Sequence, residues 1–112
     1  MSQSDWLRPL SIHLAKSRTI LFYLKSRGMT LASWRVPYND FLLTKDTIKF
    51  NVKSNSFEGR VAIKHEVNKL YTITFDKFID NKWCTKETCS NINIKDLDKI
   101  IDNYIKPHDL LL

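Results

Sequence analysis

Apolar positions repeat with two different periods along this chain. In residues 97–105, Leu97, Ile100, Ile101, Tyr104 and Ile105 fall at i, i+3, i+4, i+7 and i+8, one stripe on a helix of 3.6 residues per turn. Asn93 stands where an N-cap belongs, and Asp96 and Asp98 suit the positive end of the helix dipole. Lys106-Pro107 ends the pattern and leaves HDLLL as a tail.

Between residues 47 and 94 the period is two. TIKFNVK (47–53) sets Ile48, Phe50 and Val52 against Lys49, Asn51 and Lys53. After a turn at NSFEG (55–59), Val61, Ile63, His65 and Val67 alternate, and Tyr71, Ile73 and Phe75 then alternate with Thr72, Thr74 and Asp76. Each run predicts a half-buried strand. Asn68-Lys69 and Asp80-Asn81 have the composition of two-residue hairpin turns. Trp83 opens a further strand toward Ser90, bulged or interrupted near Lys86-Glu87, and Ile92 and Ile94 complete the sheet.

The N-terminal third reads in two ways. Residues 8–14, RPLSIHL, alternate like a short strand, yet Leu10, Leu14, Ser17, Leu21 and Leu24 also form a helical stripe. A helix can begin near Asp5 or Pro9, where proline is tolerated in a first turn. Alternatively the chain breaks near Ala15 and Ser17 caps a second helix. Both readings make residues 17–27 helical, with Gly28 at the left-handed position beyond the end. Residues 31–36 predict a strand stopped by Pro37.

These elements describe an α+β fold in a single domain over residues 1–112. An N-terminal helix leads into an antiparallel β-meander of four to five strands, and a C-terminal amphipathic helix packs on one sheet face. Antiparallel sheets can leave the other face in water. That face would show Lys49, Asn51, Lys53, Lys64, Thr72 and Thr74.

Composition narrows the class. A chain of 112 residues is one domain by length, and 43% apolar with 27% charged residues is ordinary for a folded protein. The longest apolar run, ILFYL at 20–24, is far shorter than the ~18 residues of a membrane span. Two cysteines do not make a secreted disulfide scaffold. A cytoplasmic protein with no membrane association is therefore expected. The 13 Lys, 8 Asn and 11 Ile suit an AT-rich genome, and with the small size they suggest a phage or plasmid accessory protein.

Charge changes the picture more. The net +6 is one-sided: residues 1–60 carry 10 Lys+Arg against 4 Asp+Glu, and residues 61–112 carry 8 of each. All five arginines, Arg8, Arg18, Arg27, Arg35 and Arg60, lie in the first part. Arginine favours planar contacts with phosphate or carboxylate, so a one-sided excess points to an anionic partner. It also serves solubility alone. FYLKSRGMTLASWR (22–35) holds three cations and three rings with no acid. Rings interleaved with arginine can stack unpaired bases or anchor a protein interface. The candidate binding residues are Lys16, Arg18, Tyr23, Lys25, Arg27, Trp34 and Arg35. Lys25 and Arg27 also have a structural reason to stand at a helix C-terminus.

Little else suggests chemistry. Cys84 and Cys89 are spaced C-x4-C, and His13, His65 and His108 are scattered, so no zinc pattern forms. Gly28 and Gly59 are the only glycines, which leaves no phosphate loop. His65 lies in phase with Val61 and Ile63, as a core or rim histidine does. Beside Lys64 and Arg60 it would otherwise be a general base in a small basic ribonuclease. The sequence thus predicts a non-enzymatic accessory protein with no catalytic residues, metal or small-molecule cofactor. Its partner is single-stranded DNA or RNA, or a nucleic-acid-associated protein complex, met through the basic N-terminal half. The rival is a protein-binding inhibitor or immunity-type factor, such as a phage or plasmid product that blocks a host defence enzyme. A small basic ribonuclease is the third reading.

Overall fold

The computed structural model describes residues 14–27, 33, 34, 36, 41–54 and 57–105. Helix α1 (Ala15–Ser26) precedes strands β1 (Phe41–Leu43), β2 (Thr47–Lys53), β3 (Glu58–His65), β4 (Tyr71–Ile79) and β5 (Lys82–Ile92). A 3-10 turn (Ile94–Asp96) then leads into helix α2 (Leu97–Ile105). The strands pair antiparallel in sequence order, β1-β2-β3-β4-β5. This is the predicted α+β meander.

Alternation decides which side chains go inward. Ile48, Phe50 and Val52 of β2, Val61 and Ile63 of β3, and Tyr71, Ile73 and Phe75 of β4 are all buried. Ile20 and Leu24 of α1 and Leu97, Ile101 and Ile105 of α2 join them in one cluster. Each such side chain removed from water contributes about 1.5–3 kcal/mol. Tyr104 stacks on Phe75 at 3.9 Å between centroids, and Phe57 meets Phe75 edge-on at 6.0 Å. Both helices therefore cover the Phe50/Phe75 face.

The turns follow from backbone chemistry. Asp80 and Asn81 both have positive φ, 53° and 66°, as a type I′ turn requires. The β3–β4 turn is one residue longer than predicted. Lys69 N–H donates to the Glu66 carbonyl and Glu66 N–H to the Leu70 carbonyl. Lys69 takes the left-handed conformation at φ 70°, the three-residue loop geometry. Val67, predicted to continue the strand, lies in this loop and is exposed. β5 is bulged as predicted: Phe75 pairs with Glu87 but Asp76 with Thr85, so Lys86 is the extra residue.

Several expectations at the N-terminal side change. Ser17 does not cap a helix; it lies buried inside α1, and its hydroxyl donates to the Leu14 carbonyl at 3.0 Å. The predicted strand over 31–36 is not seen where it is described, because Ser33 is helical and Trp34 lies in a turn. The strand on that side of the sheet is instead Phe41–Leu43, paired with Phe50–Ile48. Asn93 precedes the 3-10 turn without a side-chain cap, and Ile94 belongs to that turn rather than to the sheet. The readings of residues 8–13, Gly28, Pro37, Lys106-Pro107 and the tail lie outside the described residues, and Leu14 stands in a turn at the start of α1. Among the described residues no helix is long and apolar enough to cross a membrane.

Candidate nucleic-acid interface

The seven residues singled out from the sequence do not form one surface. Trp34 is 0% exposed. Its ring lies parallel to Phe50, 6.1 Å between centroids, and its indole N–H donates to Asp102 Oδ1 at 3.0 Å. The Tyr23 hydroxyl donates to Asp98 Oδ1 at 3.2 Å, and Arg27 Nε donates to Asp98 Oδ2 at 3.1 Å. Burial, with the adjacent Asp98 carboxylate adding to it, pushes the Tyr23 phenol above its ordinary pKa. These three side chains fasten the N-terminal segment to α2. Lys16, Arg18 and Lys25 are exposed along α1, and Arg35 lies outside the described residues.

The more coherent surface is the open face of the sheet. Along β4 the odd-numbered Tyr71, Ile73 and Phe75 point into the core, so Thr72, Thr74, Asp76 and Phe78 point outward. Phe78 pairs across the ladder with Trp83 of β5, at 5.3 Å between ring centroids. Both rings remain exposed, 58% and 41%. The Arg60 guanidinium lies over the Trp83 ring at 4.1 Å from its centroid. Such a contact holds the cation against an aromatic face for about 0.5–1 kcal/mol at an exposed site.

A cleft gives these groups a shape. β3–β4 pairing ends at Arg60↔Asp76, and beyond it the two hairpins part. A depression of about 550 Å³ opens there, with Phe78 and Trp83 on one wall and Asn51, Lys53 and Glu58 on the other. A smaller one beside it joins Leu42, Lys49, Asn51 and Arg60. Cations on this face are Lys49, Lys53, Arg60 and Lys64, against the acids Glu58, Glu66 and Asp76. Lys64 pairs with Glu66 at 3.6 Å, and Asp76 accepts from the Thr85 hydroxyl at 2.8 Å. Lys49, Lys53 and Arg60 have no ion pair among the described residues.

The sequence reading had Lys49, Asn51, Lys53, Lys64, Thr72 and Thr74 on the open face but not Arg60, and it missed the rings. The missed signal was phase. Phe78 breaks the alternation of β4 by placing an apolar ring on the outward register, and the Asp80-Asn81 turn sets Trp83 opposite it.

Other candidate groups sit apart. His65 stacks on Tyr71 at 4.7 Å, and its Nδ1 is buried without a hydrogen-bond partner among the described residues. It points to the side of the sheet opposite Lys64 and Arg60, so the three are not brought together. Cys84 and Cys89 are free thiols on β5, and burial, then Glu87, raises the Cys89 pKa. Among the described residues no cluster of His, Cys, Asp and Glu could hold a metal ion. The chain matches no protein-family model, no curated protein sequence and no solved structure.

Proposed function

We propose that this is a non-enzymatic binding protein that holds single-stranded nucleic acid on the open face of its sheet. The observation that carries the reading is the exposed Phe78/Trp83 pair with Arg60 over the indole, lining a cleft with Lys53, while Lys49 lines the smaller depression beside it. Unpaired bases stack on exposed rings at about 1–3 kcal/mol each, and cations beside them neutralise the backbone. A duplex would keep its bases away from such rings. Lys49, Lys53 and Arg60 belong to the first 60 residues, where the excess positive charge lies. The protein is expected to act in the cytoplasm, where nucleic acid is within reach and both thiols stay reduced.

The test uses a 20-nucleotide dT or rU strand. Wild type should bind with log K falling as log salt rises, by about 0.7 per neutralised phosphate. Lys49→Gln with Lys53→Gln should flatten that slope. Phe78→Ala and Trp83→Ala should weaken binding while the slope stays nearly constant, because stacking releases few counterions. If neither ring substitution weakens binding, the reading fails. A defined protein captured through the same rings after nuclease treatment would instead favour the inhibitor reading.

A further inference from the structure

The outer side of α1 carries a second surface, on the opposite side of the molecule from the open sheet face. Ile20 and Leu24 turn inward from this helix, and Ser17 is buried beside them. The reverse side therefore presents Arg18, Phe22 and Lys25, at i, i+4 and i+7. Phe22 is 73% exposed, the most exposed of the described aromatic rings. It has no ring contact among the described residues. The twelve residues of α1 include Lys16, Arg18 and Lys25 and no acid. None of these three cations has an ion pair among the described residues, whereas Arg27 is engaged by Asp98.

We infer that this stripe docks an acidic amphipathic helix of a protein partner. Arg18 to Lys25 spans about 10 Å at 1.5 Å per residue, two turns of helix. A partner helix can lay its own i, i+3, i+4 and i+7 side chains along it, one apolar side chain covering Phe22. Carboxylates flanking that side chain then meet Arg18 and Lys25. Charge complementarity of this kind selects acidic partners and speeds encounter. A nucleic-acid strand is a poorer occupant. The outer side of a helix is convex, so a base on Phe22 would keep its second face in water. The two surfaces face opposite ways, so a protein partner here and a strand on the sheet can be held at once. The protein would then act as an adaptor.

The experiment is selection from a displayed library of random 16-residue peptides, with counter-selection against a Phe22→Ala, Arg18→Gln, Lys25→Gln variant. Enriched peptides should be rich in Asp and Glu, with apolar residues at helical spacing. Their affinity should fall at least tenfold with Phe22→Ala alone and weaken with rising salt. Binding of a dT strand, measured in parallel, should be unchanged by Phe22→Ala. Enrichment without acidic bias, no enrichment, or peptide binding that ignores Phe22 would each overturn the inference. So would loss of dT binding in the Phe22→Ala variant, which would make the stripe part of a nucleic-acid surface. Phe78→Ala should leave peptide binding intact, so failure of the sheet reading and failure of this one are told apart.

Discussion

The indole N–H of Trp34 donates to the carboxylate of Asp102 across 3.0 Å and 68 residues of sequence. The ring itself is core, parallel to Phe50. Trp34→Ala should therefore cost about 3–5 kcal/mol, as large aromatic truncations in cores do. Trp34→Phe keeps most of the apolar volume but loses the donor, and it should cost about 1–2 kcal/mol. Urea unfolding of both variants measures this. Equal losses would mean the hydrogen bond contributes nothing.

Asp98 and Ile101 separate polar from apolar fastening of α2. Ile101 is fully buried, and Ile101→Ala should cost about 2–5 kcal/mol. Asp98 accepts from both Tyr23 and Arg27. Asp98→Ala should cost about 1–2 kcal/mol, mostly through the Tyr23 bond, since Arg27 is half exposed and its pairing is screened by water. Asp98→Asn should recover part of that loss. An Asp98→Ala variant as stable as wild type would show that the latch is ornamental.

Gly59 is fixed by close approach rather than by backbone angle. A Cβ there would collide with the Asp76 carbonyl and lie 2.8 Å from the Phe57 ring. Gly59→Ala should destabilise by about 1–3 kcal/mol, the usual cost of overpacking. It should also disturb the cleft between the two hairpins. Thermal melting together with dT binding checks both effects.

Alkaline pH should weaken the fold. Burial raises the pKa of Tyr23, Tyr71 and Tyr104 above the ordinary value near 10.0, and that of Cys89 above 9.0. In each case the folded state holds its proton more tightly than the unfolded chain. The resulting stability is complete below the unfolded pKa and is lost as pH rises through the folded value. The urea midpoint should hold steady near pH 7–8 and fall from about pH 9 upward. Tyr71→Phe, which keeps the ring and removes the titrating group, should flatten that decline. A decline identical to wild type would exclude Tyr71 as a contributor.

The thiols should differ in reactivity. Thiolate is the reacting form, and burial opposes the ionisation of Cys89. A disulfide reagent at pH 8 should titrate two thiols per native chain, one fast and one slow. Cys84→Ser should remove the fast phase. Stoichiometric zinc in the purified protein, or unfolding by a chelator, would contradict the free-thiol state.

Sequence made some of this legible and concealed the rest. TIKFNVK is a strand from end to end, because its period and its β-branched residues agree. Asp80-Asn81 was readable because few residues accept two successive positive φ angles. β1 was missed because FLL is too short to show a period. Trp34 was misjudged because a ring beside an arginine does not reveal its direction; Asp102, which accepts its indole hydrogen bond, stands 68 residues away. Lys49, Lys53 and Lys64 were legible on the open face from alternation alone, whereas Arg60, just ahead of the run at Val61, was not placed there. The Phe78/Trp83 platform needed register as well, since only pairing across the turn brings the two rings together.

Strand order that equals sequence order has a kinetic consequence. Every ladder in the sheet joins neighbours along the chain, so each can zip from its own turn with little loop entropy to overcome. The links from Trp34 to Asp102 and from Tyr23 and Arg27 to Asp98 instead close loops of 68 to 75 residues. The meander should therefore form before the N-terminal segment is clasped. Substitutions at Ile73 or Phe75 should slow refolding, whereas Asp98→Ala should act mainly by speeding unfolding. The clasp would then set how long the native state lasts, and the hairpins how quickly it is reached.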